Sequence, residues 1–491
     1  MGALRFRVSR RNRLPEFAPE VVHVYGVDRC PWQGRTVWED SEHLVHYREI
    51  GESGFFVCPW ITESGDWTCL VTASLREQAG AYQLERELAR GTTSRVRELA
   101  SQMQMAGVPI GTRSRDAADA SQRAFLDHLA SDEVETACVS ITAGLRAIEG
   151  LMADLHRFQQ DRAADGSGIP KTLRVGTVVT PFSSERLETL FLELFDAVSI
   201  PVRWRDLERE DGTFDWSRLD RWVAWAKSRR RRILMGPLLR LDRRWLPDWA
   251  FLLHDRPIEI LLRSVDEFIA EVVKRYRDDV DLWQSAAGLN VPGDLGLVSE
   301  DRLRVAATAI ESVRTRGGKT PVVMRFDQPW SESLIRNELE LPAFYFADAL
   351  VRADLGLRGV GIDVHWGYWP GGSLQRDPLA VHMMLQRWSR LELPLLVGLA
   401  VPHHPHDGSE AKPLVLHDAR LRPIAPEWQA QQLRMLAAVA ASSPSVHGVA
   451  YNAFVDRDAP AFPSAGLIDS AGEPLPACRA WQEATQREPA S

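Results

Sequence analysis

The chain of 491 residues is short of lysine and cysteine and has no long apolar run, and each shortage excludes something. Its five cysteines, Cys30, Cys58, Cys69, Cys138 and Cys478, are scattered and odd in number, with no C-x-x-C pair. That pattern argues against a structural zinc site and against a disulfide framework, and no metal or cofactor is expected. No apolar stretch approaches the ~20 residues of a membrane-spanning helix, so no membrane partner is expected. The opening residues MGALRFRVSR lack the apolar centre of a secretory leader, which sets the expectation of a cytoplasmic protein. Position 6 is Phe6, so the N-myristoylation pattern fails as well.

Lysine stands only at 171, 227, 274, 319 and 412, and arginine carries the remaining positive charge. The net charge of −8 leaves no global basic field to attract nucleic acid. The one basic run, Arg229 to Arg232, has no interleaved aromatics. It precedes an expected strand, on the far side of the fold from a site built at strand ends. It therefore reads as a solvated face or as partners for acidic helices.

A hydrophobic fraction of 45% supports ordered globular structure, and three regions follow along the chain. Residues 1–85 hold short runs of strand formers, Val21–Tyr25, Leu44–Tyr47, Gly54–Cys58 and Trp67–Thr72, divided by polar or Gly-bearing turns. A small β-sandwich-like domain is expected there. Residues 86–168 switch to a helical period, as a helical segment and linker. Leu84, Leu88, Val96 and Leu99 share one helix face, with an interruption expected near Gly91. A second helix is expected from Phe125, and a third carries Ile141, Leu145, Ile148, Leu151 and Leu155. Asp161 to Gly168 reads as the linker.

Residues 169–491 alternate eight apolar strand-like runs with amphipathic helices. The runs are Leu173–Val179, Ala197–Trp204, Ile233–Leu241, Leu282–Leu289, Pro321–Phe326, Gly359–His365, Leu395–Val401 and Gly448–Phe454. Helices are expected over Arg186–Leu194 and Leu219–Ala226, and from Ser299 as N-cap to Gly317 as stop. The expected fold is α/β, a C-terminal (β/α)8 TIM barrel. An open doubly wound sheet competes, but no G-x-G-x-x-G follows the first strand.

Several motifs within this region resemble glycoside hydrolase family 10, the xylanase family. Gly212-Thr213-Phe214-Asp215-Trp216 with Asp220 is similar to a G-x-[FY]-[DN]-[FW]-x-x-x-D segment after the second strand. Pro247-Asp248-Trp249 resembles the family's P-x-W, and Trp283 the opening of W-D-x-x-N-E. Gly359-Val360-Gly361-Ile362-Asp363-Val364-His365 is similar to G-I-G-x-Q-x-H. Gly466-Leu467-Ile468-Asp469, then Gly472-Glu473-Pro474-Leu475-Pro476-Ala477, resembles the C-terminal G-L-L-D and G-x-P-K-P-A. The resemblance implies a sugar-cleaving barrel over about residues 173–482. It also implies its own exception. Gly288 stands where the family carries its acid-base glutamate, and Leu399 where it carries the nucleophile. Gly236 to Asp242 replaces G-H-T-L-V-W-H, so both sugar-binding histidines are absent. Retaining glycosidases need two carboxyl groups about 5–5.5 Å apart, and glycine and leucine supply neither.

Polar residues do fall near the expected strand ends: Asp242, Asp327, Asp363, His365, Asp456 and Asp458. A relocated acid pair such as Asp363 with Asp456, with Asp242 a further candidate, is one reading; loop caps and salt-bridge partners are the other. Trp366, Tyr368 and Trp369 follow the sixth strand, where flat rings with polar edges can stack on sugars or else pack over the mouth. Trp330 and Trp249 join His365 in this substrate-binding set. His403, His404, His406 and Asp407 are metal-ligand types on a Pro-broken loop, read as solvated surface. Three functions stay open: a catalytically degenerate barrel that binds oligo- or polysaccharide or serves as a scaffold, an active O-glycosyl hydrolase using relocated carboxylates, and a module for a protein partner.

Overall fold

The computed structural model describes residues 2–164, 172–253, 256–336, 340–405, 418–456 and 462–485. Two four-stranded sheets open the chain. One runs in the order Gly34–Trp38, His43–Arg48, Gly2–Arg7, Tyr82–Gln83; the other runs Pro31–Trp32, His23–Tyr25, Gly54–Ile61, Trp67–Leu75. Along Gly2–Arg7 the apolar Leu4 and Phe6 are buried while Arg5 and Arg7 are exposed, the period-two signature of a half-buried strand. Phe6 meets Phe56 of the other sheet with ring centroids 4.1 Å apart. Leu84, Leu88, Ala137 and Ile141 from two helices enter the same core, so sheets and helices share one interior.

The helical region holds Leu84–Met105, Thr112–Ser131 and Val134–Ala164. The first runs straight through Gly91 rather than breaking there. A Cβ at Gly91 would lie 2.0 Å from the Val71 carbonyl oxygen, so the glycine lets the helix lie directly on a strand. The second starts well before Phe125. Its buried face is Ser114, Ser121, Ala124 and His128, too small and polar to give a hydrophobic period. Asp161–Ala164, expected as linker, are still helical; the rest of that stretch lies outside the described residues.

Eight parallel strands then close into a barrel: Leu173–Thr177, Ala197–Ile200, Arg232–Met235, Leu282–Ala287, Val322–Asp327, Gly359–His365, Leu395–Ala400 and Val446–Tyr451. Closure is made by the eighth strand on the first, Gly448 opposite Leu173 and Tyr451 opposite Gly176. Each of the eight expected runs overlaps one strand, and the third, fifth and eighth strands extend one or two residues beyond their runs. The second and third runs end early, just before Pro201 and shortly before Pro237, because proline cannot donate to a ladder. Val175, Ala197, Leu234, Leu396 and Ala450 pack together inside the barrel, toward the N-terminal ends of the strands. A far larger apolar shell lies between strands and helices. The helix Ser299–Arg316 begins at Ser299 itself, with Val298 in the cap position, and ends at Gly317.

The N-terminal region docks on the barrel. Arg95 makes a bidentate ion pair with Asp377 at 2.7 and 2.8 Å, and the Cys69 amide donates to the Gln375 carbonyl at 2.9 Å. Phe17, Val57 and Cys69 pack with Trp369 and Leu374 of the barrel. Among the described residues no helix is long and apolar enough to cross a membrane.

Candidate functional site

Side chains on the inner face of the barrel strands converge at their C-terminal ends, where barrel sites form. Arg325, on the fifth strand, lies at the centre of the network. Its Nε donates to Asp363 Oδ1 at 3.2 Å, Nη1 to Gln284 Oε1 at 3.1 Å and Nη2 to Asn452 Oδ1 at 2.9 Å, with a second contact from Nη2 to Asp363. Gln284 passes the chain on through Nε2 to Ser199 Oγ at 3.0 Å. Asn452 Nδ2 lies 3.0 Å from His365 Nε2. Four strands, and Asn452 just past the end of the eighth, are thus tied by one polar network inside the barrel.

Two glycines make room for it. A Cβ at Gly398 would lie 2.0 Å from Asp363 Oδ1, and one at Gly361 would lie 2.4 Å from Arg325 Cγ. A second arginine, Arg240, donates from Nη2 to Asp327 Oδ2 at 2.7 Å and from Nε to Asp242 Oδ2 at 3.2 Å. Asp327 is itself held by Asn290, which accepts its amide at 3.0 Å and donates to its carbonyl at 2.8 Å.

Burial alone would raise the Asp363 carboxyl, but the Arg325 guanidinium, with His365 and Arg240 nearby, holds it below the ordinary carboxylate value. Burial also lowers His365 against the pull of Asp363 and Asp327, which keeps the imidazole neutral at pH 7. Asp363 therefore stays ionised and lacks the proton a general acid must give. Both guanidinium contacts fall on Oδ1, which ties that oxygen of the carboxylate to the cation.

The sequence-derived candidates separate. Asp363, His365 and Asp242 do gather at or beside the mouth. Asp456 instead pairs with His403 Nε2 at 2.8 Å and accepts the Gly466 amide at 2.8 Å, and it does not line the mouth cavity that Asp363 lines. The two members of the expected Asp363–Asp456 pair are each bonded to a different partner, Arg325 and His403. Asp458, His406 and Asp407 lie outside the described residues. His404 Nδ1 contacts its neighbour's carbonyl, Pro405 O, and among the described residues no group of three or more His, Cys, Asp or Glu could hold a metal. Arg229 pairs with Glu188 and Arg231 donates to the Leu192 carbonyl, so those members of the basic run serve a neighbouring helix.

The aromatic set needs a larger correction. Trp366 is fully buried in the shell behind the strands. Tyr368 is buried and donates its hydroxyl to the Pro463 carbonyl at 2.9 Å. Trp369 packs on the N-terminal region. Trp330 lies under the Arg376 guanidinium, 4.3 Å from its centroid, and Trp249 meets Trp204 edge-on at 5.5 Å. None of these five lines the mouth. The half-buried ring that does so is Trp245, with Phe462, whose centroid lies 4.1 Å from the His365 ring. Sequence reasoning did not single out Arg325, Arg240, Asn452, Thr177 or Trp245. One signal was available: a charge inside Val322-Val323-Met324-Arg325-Phe326-Asp327, since lone charges seldom sit in a buried strand.

The two positions set against the family's glutamates also separate. Gly288 adopts φ +68, and a Cβ there would lie 2.8 Å from Asp327 Oδ2 and 2.9 Å from Arg240 Nη2, so it faces the mouth. Leu399 packs in the outer shell. The inner side of its strand is carried by Leu396 and Gly398.

The fold is similar to those of solved xylanases. Xylanase B from Clostridium stercorarium F9 is 16% identical, over 63% of this chain and 96% of that one, at TM-score 0.49. Xylanase 10B from Thermotoga maritima is 14% identical over 64% and 95%, and xylanase 10B from Thermotoga petrophila RKU-1, in complex with xylobiose, is 13% identical over 69% and 97%, both at TM-score 0.49. No family model and no curated protein matches the chain.

Proposed function

We propose that this glycosidase-like barrel binds a carbohydrate ligand without hydrolysing it. The observation that carries the reading is the place of Arg325. Its guanidinium spans Asp363, Gln284 and Asn452 in the centre of the mouth, where a two-carboxylate mechanism needs an acid and a base with reacting space between them. Asp363 is tied to a cation, and the carboxylates beside the mouth, Asp327 and Asp242, are tied to Arg240. The half-buried Trp245 at the lip offers a ring face on which a sugar can stack.

The test is turnover. Purified protein is incubated with xylan, other β-glycans and aryl glycosides, and reducing ends are counted. The expected result is no release above the uncatalysed rate. Release that disappears in Asp363→Asn would overturn the reading in favour of an active hydrolase.

A further inference from the structure

We infer that the mouth cavity is a receptor for an oxyanion group carried by the carbohydrate ligand, a proposal that rests on the non-hydrolytic reading above. Size decides the first step. The cavity is about 80 Å³, well under the ~300 Å³ at which pockets for whole small molecules begin. A space of that size suits a single carboxylate or phosphate group better than a whole sugar ring.

Its lining decides the charge. Arg203, Arg240, Arg244 and Arg325 all line the cavity, against one lining carboxylate, Asp363. Asp206, Asp242 and Asp327 pair with these guanidiniums but do not line the cavity themselves. Arg325 is committed to Asp363, Gln284 and Asn452, so a ligand entering the mouth meets Arg203, Arg240 and Arg244, whose compensating carboxylates lie outside the lining. Arginine groups of this kind recognise carboxylate and phosphate by paired hydrogen bonds.

Two unpartnered polar atoms point to an acceptor-rich ligand. The Thr177 hydroxyl is buried on a residue 7% exposed, lines the cavity and has no hydrogen-bond partner in the protein. Arg244 Nη1 is also buried without a partner. Buried polar atoms in folded proteins are almost always satisfied, and an oxyanion supplies acceptors for both. Trp245, at the same cavity, leaves an apolar face for the body of the ligand outside.

The experiment is calorimetric titration of the full chain with four probes: glucuronate, glucose 6-phosphate, inorganic phosphate and glucose. At least one anion is expected to bind about tenfold or more tightly than glucose. Preference for glucuronate identifies a carboxylate; preference for glucose 6-phosphate identifies a sugar-borne phosphate. Equal binding of inorganic phosphate and glucose 6-phosphate identifies the free ion and overturns the sugar-borne part of the proposal.

Thr177→Val is the sharpest variant. Its hydroxyl has no protein partner, so the ligand-free melting temperature should hold, while anion affinity falls about three- to tenfold. Arg244→Gln should lower affinity about tenfold. No heat from any anion, equal binding of glucose, or unchanged affinity in both variants overturns the proposal. Neutral xylo-oligosaccharide binding that Thr177→Val leaves unchanged would overturn it while the non-hydrolytic reading stands. Glycan turnover would instead overturn that reading.

Discussion

Arg325 on the fifth strand holds Asp363 on the neighbouring sixth strand as a buried ion pair, with side chains 7% and 1% exposed. Removing either partner strands the other charge in the barrel. Arg325→Met should destabilise the fold by about 3–5 kcal/mol, measured by denaturant unfolding. Combining it with Asp363→Leu should recover only part of the loss, because Gln284 and Asn452 also lose their donor. The pH dependence has a definite sign. The native Asp363 carboxyl lies below its unfolded value, so its contribution is present above the ordinary carboxylate pKa. It is lost as pH falls through the native value. Asp363→Asn should flatten the acid limb of the stability curve; an unchanged limb would remove Asp363 as its source.

His23 titrates the other way. Burial lowers its imidazole to about 3, while Nδ1 stays bonded to the Val21 carbonyl at 2.8 Å. The unfolded chain takes up a proton below about 6.5 and the native chain does not, so stability falls as pH drops from there toward 3. At pH 4.5 the loss from this one group is about 2–3 kcal/mol. Buried His46 and half-buried His156, each lowered to about 4, act in the same direction. Melting curves of wild type and His23→Gln at pH 7 and 4.5 check this: the variant should lose less between the two.

Gly91 sets helix propensity against packing. In an exposed helix, alanine would be preferred over glycine by about 1 kcal/mol. Here its methyl would lie 2.0 Å from the Val71 carbonyl oxygen and 2.8 Å from the Thr72 backbone. Gly91→Ala should therefore destabilise by about 2 kcal/mol or more, and urea unfolding gives the sign directly.

These residues also show what was legible in the chain. The eight barrel strands were readable because both faces are buried, which leaves unbroken apolar runs between polar helices and turns. The helix Thr112–Ser131 was readable only in part, because Ser114 and Ser121 fill its buried face. At the mouth, the strand ends could be read residue by residue, and Asp363 and His365 both line the cavity at the end of the sixth strand. The roles of Arg325 and Arg240 could not be read, since they depend on partners such as Asp327 and Asn452 that are remote in sequence. Trp366 to Trp369 read as an open rim for a related reason. Trp369 is covered by Phe17 and Cys69, and no local pattern announces that contact.

Placing glutamates at the two positions that the sequence resemblance sets against catalytic carboxylates should not create a hydrolase. Leu399 lies in the apolar shell behind the strands, so Leu399→Glu would bury an unpaired carboxylate there at a cost of several kcal/mol. Moving the residue inward to Gly398 fails differently. Its Cβ would lie 2.0 Å from Asp363 Oδ1 and 2.4 Å from Arg325 Nη2, so the new side chain must expel the buried pair. Gly288→Glu does point into the mouth, but onto Asp327 and Arg240. The expected outcome for Gly288→Glu combined with either seventh-strand change is a lower melting temperature and no release of reducing sugar from xylan. Turnover by the combined variant would show that the arginine network yields without loss of the barrel.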